Sequence, residues 1–220
     1  AARLFLLCNP HNPTGRVFTR EELERMVDIC VRHGVMIFSD EVHADLVYAP
    51  NKHIALPTLS DLARDNCLVG LNPSKTFNNA GCRTASVVCH SPEVRKAYQK
   101  ALASCKLGRN IWGVTAYISA YTECDYYADQ VNAYLKANME YAVAYIQANI
   151  PGIKAYMPEA TYLLWLDCRA LGFATQEELD DYFVNVAKVG LNPGESFGVE
   201  GRGFLRMNLA CPRAMLQQGL

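Results

Sequence analysis

Three short apolar runs, each followed directly by a turn rich in polar residues, constrain the fold of this chain most strongly. They occupy residues 4–7, 35–38 and 67–71. Continuous apolar runs of this length are typical of strands that are buried on both faces of a parallel sheet. Because parallel strands are joined by long crossovers, the pattern predicts an α/β fold.

The segment between the first two runs has the pattern of a crossover helix. Thr19 and Glu22 form a capping box that predicts a helix start, and Gly34 predicts its end. The apolar residues between them fall on one stripe, at Leu23, Met26, Val27, Cys30 and Val31. This is a βαβ unit, so Asn12 and Asp40 are expected to emerge at the same edge of one sheet.

The polar turns contain an asparagine, an aspartate and a lysine, each just past a predicted strand. They read N-P-H-N-P-T-G at 9–15, S-D-E-V-H at 39–43 and N-P-S-K-T-F at 72–77. A pyridoxal phosphate (PLP) site needs these side chains: a lysine for the imine, a carboxylate for the ring nitrogen, and a donor for the phenolic oxygen. The pattern therefore indicates a PLP site at this sheet edge.

The remainder of the chain predicts a change of architecture. A strand at 85–89 is followed by helices at about 92–104, 111–122 and 126–149. Beyond Pro151 and Gly152, strands at 161–167 and 204–208 flank a helix that Thr175 caps. Helices beside a small sheet predict a second, α+β domain.

Composition excludes several classes of function. The net charge of −1 gives no basic surface for nucleic acid or an anionic membrane. No apolar run approaches the length of a membrane span. The nine cysteines form no C-x-x-C pair, which argues against a zinc cluster or a disulfide framework and favours a cytoplasmic protein.

Five motifs occur in an order that resembles one known superfamily. The chain resembles the fold-type I PLP enzymes of the aminotransferase class I/II superfamily, and within it the MalY/PatB-type cystathionine β-lyases. The motifs that carry the resemblance are N-P-H-N-P-T-G-R (9–16), S-D-E-V-H-A-D-L (39–46), S-K-T-F-N (74–78), T-Y-L-L-W-L-D (161–167) and E-G-R-G-F-L-R-M-N (200–208), followed by C-P-R (211–213).

The resemblance implies an aspartate aminotransferase-like fold with a mostly parallel sheet. Residues 1–125 are expected to be the C-terminal portion of the PLP-binding large domain. Residues 126–220 are expected to hold the interdomain helix and a truncated small α+β domain. We expect the chain to be a fragment that lacks the N-terminal part and the C-terminal end of a homodimeric enzyme.

The resemblance also assigns roles to three residues. Lys75 is expected to be the Schiff-base lysine, which also moves the substrate's Cα proton. Asp40 would pair with the ring nitrogen, and Asn12 would donate to the phenolic oxygen. The alternatives are an ordinary surface lysine, a carboxylate that caps a loop, and a turn asparagine.

The resemblance also assigns roles to four further positions. His43 stands where many aminotransferases carry a tyrosine near the same ring oxygen, or is a helix-start or core histidine without a role. Arg83 is expected on the cofactor phosphate, or is a surface arginine. Asn72 stands where relatives often have a serine that helps to hold the cofactor phosphate, and asparagine is expected to donate to it instead. Arg206 is expected to clamp the substrate α-carboxylate, unless it is an exposed strand arginine. No metal ligands are expected.

The leading functional hypothesis is β-elimination of an L-cysteine S-conjugate such as L-cystathionine, which yields a thiol, pyruvate and ammonia. A class I/II aminotransferase would use the same lysine and a keto acid acceptor. A non-catalytic regulatory or binding module is the third hypothesis. It would not need Lys75, Asp40 and Arg206 together.

Overall fold

A computed structural model of the chain describes residues 2–108 and 110–220. The chain divides into two compact units. The first contains residues 2–10 and 17–130, and the second contains residues 11–16 and 131–220. The second unit is therefore discontinuous in sequence, because a six-residue loop from near the N-terminus belongs to it.

The first unit is built on a four-stranded sheet with the order β1-β2-β3-β4. The first three strands are parallel, and β4 is antiparallel to β3. The three predicted apolar runs are all strands, so the expected mixed, mostly parallel sheet is confirmed. The strands are β1 (Leu4–Cys8), β2 (Met36–Asp40), β3 (Cys67–Leu71) and β4 (Ser86–Cys89).

Helix α1 (Arg20–Arg32) supplies the crossover between β1 and β2. Both hydrogen bonds of the predicted capping box form between Thr19 and Glu22. The helix buries Leu23 and Val27 against the sheet, in the core that also contains Ile37. Burying each such aliphatic side chain contributes about 1.5–3 kcal/mol, so this apolar stripe holds the crossover in place.

The first unit contains three more helices, one between β2 and β3 and two after β4. They are α2 (Asp61–Asp65), α3 (Pro92–Ser104) and α4 (Ile111–Glu123). Ser91 caps α3, and Pro92 occupies its first turn, where its missing N–H costs no hydrogen bond. Helix α5 (Asp125–Asn149) begins one residue before its predicted start, and the division between the units falls within its length.

The second unit contains an antiparallel sheet with the order β5-β6-β8-β7. Helix α6 (Gln176–Asp181) continues into a wider, π-type turn over Tyr182–Val186. The strands and helices are β5 (Lys154–Ala155), β6 (Leu163–Asp167), β7 (Asn192–Pro193), β8 (Phe204–Asn208), α6 (Gln176–Asp181) and α7 (Arg213–Gly219).

The strand predicted at 161–167 begins two residues late. Thr161 has φ 70°, a left-handed conformation that a β-branched residue seldom adopts, and its hydroxyl accepts a hydrogen bond from the Leu163 amide. This local turn ends the loop, and β6 starts after it. Among the described residues, no helix is long and apolar enough to cross a membrane.

Candidate active site

Asp40 is the last residue of β2 and is half-buried. Its backbone carbonyl accepts a hydrogen bond from the Asn9 amide at 3.1 Å, which ties the end of β2 to the end of β1. Its carboxylate oxygen Oδ1 accepts from the Val42 amide at 3.2 Å. The other carboxylate oxygen, Oδ2, makes no hydrogen bond with a described residue, so it is available to a ligand.

The turn after β3 presents Lys75. Asn72 Oδ1 accepts from the Ser74 amide at 2.7 Å, and the Phe77 amide donates to the Pro73 carbonyl at 2.8 Å. These two bonds close the turn on both sides of Lys75, whose side chain is exposed. The structure therefore shows Asn72 shaping the lysine turn. Its role toward a cofactor phosphate stays a prediction.

A second set of contacts, which the sequence did not reveal, braces the same turn. Thr76 is almost fully buried and donates to Asp45 Oδ2 at 2.9 Å. Tyr121 of α4 donates to the same oxygen at 3.2 Å and packs edge-on against Phe77. Burial, with the nearby Asp45 carboxylate as a second cause, raises the pKa of Tyr121. The flanking residues of Lys75 are thus fixed while its amine stays exposed.

Asp40 and Lys75 follow neighbouring parallel strands. In the register of these strands, Asp40 lies opposite Gly70, five residues before the lysine. We predicted that the turns after β2 and β3 would lie at the carboxyl edge of one sheet. The parallel pairing of these two strands agrees with that prediction. Cys8, four residues before Asn12, lies opposite Asp40 on the other side.

Two other predicted residues of the first unit occupy different settings. His43 is 3% exposed and lies in a turn just after β2 rather than at a helix start. Arg83 is exposed and has a left-handed backbone, φ 46°, at the end of a short 3₁₀ turn. Their roles toward a cofactor stay predictions.

Arg206 is held by three side chains of the second unit. Its Nη1 donates to Asn12 Oδ1 and its Nη2 donates to Asn192 Oδ1, each at 2.9 Å. The guanidinium also stacks on the ring of Phe197 at 4.7 Å. Its Nε is buried and makes no hydrogen bond within the described part of the chain. The arginine predicted from F-L-R-M-N is therefore positioned by contacts rather than loosely exposed.

Asn192 and Phe197 are site residues that sequence reasoning missed. They precede Arg206 in the sequence, outside every motif that predicted the site. Strand β7 pairs with β8 so that Asn192 lies opposite Arg206, and the turn after β7 brings the Phe197 ring to the guanidinium. No sequence pattern marks an asparagine that will lie opposite an arginine on a neighbouring strand.

The loop that carries Asn12 is fixed within the second unit. The Gly15 carbonyl accepts from the amides of Glu159 and Ala160, both at 2.9 Å. Gly15 has φ 70°, and a β-carbon there would overlap Pro158. A glycine is required at this point because the loop must approach the 158–160 backbone closely.

Tyr162 and Arg206 influence each other's titration. Burial raises the pKa of Tyr162, and the Arg206 charge opposes this rise. Burial lowers the pKa of Arg206, and Tyr162 opposes this fall. The guanidinium stays charged because its ordinary pKa is so high. A cation that is partly withdrawn from water is a strong site for a carboxylate. The described residues contain no cluster of three potential metal ligands.

Comparison with known proteins places this geometry in a family. The family model for aminotransferase class I and II matches residues 1–220. The chain belongs to the class I and II aminotransferase family. Its expected fold is thereby confirmed, because solved members superimpose on nearly all of it. Cystalysin from Treponema denticola, solved with PLP, has a TM-score of 0.95 at 31% identity over 99% of this chain and 55% of its own.

Two curated members of the aminotransferase class I and II family are also similar to the chain. Cystathionine β-lyase PatB of Bacillus subtilis is 38% identical over 99% of this chain and 56% of its own length. Protein MalY of Escherichia coli is 37% identical over 99% of this chain and 55% of its own length. The predicted MalY/PatB-type resemblance is confirmed. The chain spans a little over half the length of these relatives.

Proposed function

We propose that this protein is a PLP-dependent C–S β-lyase, which cleaves L-cystathionine or a related L-cysteine S-conjugate to a thiol, pyruvate and ammonia. The observation that carries the proposal is the hydrogen bond between Arg206 and Asn12. It couples a carboxylate-binding cation to an amide that the family resemblance assigns to the cofactor ring. Similarity to PatB and MalY supports the lyase reaction over transamination.

The donors and acceptors of the site match the chemistry of PLP. Because arginine only donates, Asn12 Oδ1 is its acceptor, which leaves the Asn12 amide nitrogen to donate to the phenolic oxygen. Asp40 Oδ2 is available to accept from a protonated ring nitrogen. Lys75 makes no ion pair within the described residues, so its amine is available for the aldehyde. Arg83, Asn72 and His43 are proposed as additional cofactor contacts.

The chain's own residues then act on the substrate. PLP, when bound, withdraws electrons from the substrate's Cα and so eases loss of its proton. We propose that the Lys75 amine takes this proton and that Arg206 binds the α-carboxylate, which orients the Cα–H bond. The Cβ–S bond breaks, sulfur leaves and takes up the proton held by Lys75 to form the thiol, and one water hydrolyses the remaining three-carbon product to pyruvate and ammonia.

The decisive experiment uses the complete gene product loaded with PLP and given L-cystathionine without a keto acid. Pyruvate and free thiol are measured together, and equal, sustained release of both is expected. Turnover that begins only when a keto acid is added would make the protein an aminotransferase. No turnover in either case, with the cofactor's visible absorbance retained, would contradict the proposed substrate class.

A lysine pair provides the matched control. Lys75→Ala is expected to abolish turnover and the visible absorbance of covalently bound cofactor. Lys96→Ala, which removes an exposed lysine of α3, is expected to preserve both. Catalysis that survives Lys75→Ala would overturn the assignment.

We further propose that the complete protein is a cytoplasmic homodimer. All nine cysteines are free in the structure, which supports a reducing compartment. Sedimentation of the complete protein tests the dimer, and a monomeric species with full activity would contradict it.

A further inference from the structure

Directly after Asp40, Glu41 forms a buried polar cluster that the proposed reaction does not use. Its side chain is only 1% exposed. One carboxylate oxygen, Oε1, accepts from Ser39 Oγ at 2.9 Å and from the Leu56 amide at 3.0 Å. The other, Oε2, lies 2.8 Å from Nε2 of His53, whose side chain is 11% exposed. Every direct partner of this carboxylate is a donor or an imidazole.

Stability alone does not account for this arrangement. Withdrawing a carboxylate from water is costly, and well-packed apolar residues stabilise a core at least as well as a buried ion pair does. His53 also leaves its Nδ1 buried without a hydrogen-bond partner among the described residues, which is a further cost. Because apolar residues would stabilise this region at least as well, we look for a function of the Glu41–His53 cluster other than stability.

The cluster fixes the backbone that orients Asp40. The Glu41 amide donates to the Gly70 carbonyl at 3.0 Å, which ties this residue to β3. The Asp40 carboxylate, in turn, takes its only hydrogen bond with a described residue from the amide of Val42. Since Glu41 lies between the two, anchoring its side chain to the 53–56 segment restricts the peptide units that set the direction of the Asp40 carboxylate.

We propose that Glu41 and His53 are positioning residues, which hold the Asp40 carboxylate in the direction needed to pair with the ring nitrogen of PLP. The inference rests on the proposed function, because it takes Asp40 as the partner of that nitrogen. Neither residue touches the cofactor. They act through the backbone of Glu41, which lies between Asp40 and the Val42 amide that holds the Asp40 carboxylate.

The test uses the complete gene product loaded with PLP and two readouts other than turnover. One is the visible circular dichroism per bound cofactor, which reports how firmly the ring is oriented. The other is the rate at which cofactor is lost during dialysis. Three variants are compared with the parent: His53→Leu, which removes the donor to Glu41; His53→Gln, which restores a side-chain N–H; and Glu41→Gln, which removes the charge.

Two controls separate positioning from general loss of stability. Val27→Ala weakens the same core without touching the cluster. Glu24→Gln removes an exposed ion pair with Arg20. Both are expected to preserve the dichroism per bound cofactor and the rate of cofactor loss.

We expect His53→Leu and Glu41→Gln to reduce the visible dichroism per bound cofactor and to accelerate cofactor loss. The effect on kcat/KM should reach up to about 100-fold, the order expected when a reacting group is displaced by about an ångström. His53→Gln should recover most of the signal. His53 is partly exposed, so its variants keep the test decisive even where Glu41→Gln fails to fold.

Several outcomes would overturn the inference. If the cluster variants lower only the melting temperature, the result expected for Val27→Ala, the cluster is merely structural. If Asp40→Asn leaves the visible dichroism per bound cofactor and the rate of cofactor loss unchanged, both the inference and the proposed cofactor role of Asp40 are wrong. If the parent protein binds PLP but does not cleave cystathionine, the lyase proposal fails alone, because the dichroism and dialysis readouts still test the cluster.

Discussion

Arg206 donates a 2.9 Å hydrogen bond to Asn12, a residue 194 positions earlier in the chain. The bond joins the first and last of the recognised motifs inside one compact unit. Arg206, the proposed substrate clamp, and Asn12, a proposed cofactor ligand, are therefore coupled. A substitution of either residue should alter the position of the other.

Arg206→Lys should weaken substrate binding strongly. A lysine ammonium cannot bond both asparagines and also grip a carboxylate with two parallel hydrogen bonds. We expect kcat/KM for L-cystathionine to fall by about 10-fold to 100-fold, or about 1.4–2.7 kcal/mol, with most of the change in KM. Steady-state kinetics on the complete protein measure this, and an unaltered KM would contradict the clamp.

Asn192→Ala should produce a smaller effect of the same kind. It removes one of the two amides that orient the guanidinium but leaves Asn12 in place. We expect KM to rise by about tenfold, the value of one hydrogen bond to a charged group, with kcat little changed. Arg202→Gln, which removes a nearby exposed ion pair with Glu195, is the matched control and should leave KM unchanged.

Gly15→Ala should destabilise the protein more than Gly34→Ala. Both glycines have a left-handed backbone, φ 70° and φ 63°, but only at Gly15 would the new methyl group overlap a neighbour, Pro158. The backbone strain costs about 1–2 kcal/mol at either site. Overpacking adds about 1–3 kcal/mol at Gly15 alone. Urea unfolding of the two variants measures the difference, and equal losses would argue against the close loop contact.

Acid should destabilise the protein in part through His11. Burial, aided by the charge of Arg16, lowers the pKa of His11 from its ordinary 6.5. The unfolded chain then binds a proton more readily than the folded one, so the contribution of this residue is complete above pH 6.5 and is lost as the pH falls through the folded pKa. His11→Gln should flatten the acid limb of unfolding free energy against pH. If the variant and the parent lose unfolding free energy identically as the pH falls, the lowered pKa of His11 is contradicted.

Cys67 and Cys168 should resist thiol reagents in the folded protein. Burial raises the pKa of each thiol to about 12, so the reactive thiolate is almost absent at neutral pH. Mass spectrometry after alkylation should find both unlabelled until denaturant is added. Labelling of either thiol at the rate of the exposed Cys105 would contradict this burial.

The parts of the fold that the sequence predicted are those set by local patterns. The apolar runs predicted β1, β2 and β3, and the capping box predicted the start of α1 within one residue. These features depend on neighbours in sequence, since burial periodicity and caps act over one or two turns. Lys75, Asp40 and Arg206 were identifiable for the same reason, because each lies inside a contiguous motif.

The remaining features depend on partners that are distant in sequence. The two-residue strands β5 and β7 exist only because longer strands pair with them. The antiparallel direction of β4 is likewise set by its pairing with β3. Asn192 and Phe197 at Arg206, and His53 at Glu41, are contacts between side chains that no local pattern marks.

The loop of residues 11–16 limits which segments can be exchanged between this protein and its relatives. It belongs to the C-terminal unit although it is encoded near the start of the chain. A chimera that exchanges residues 131–220 for those of a relative would combine a native loop with a foreign 158–160 segment. The exchange should succeed only when residues 11–16 are exchanged as well, because the C-terminal unit is encoded by two separate segments of the gene.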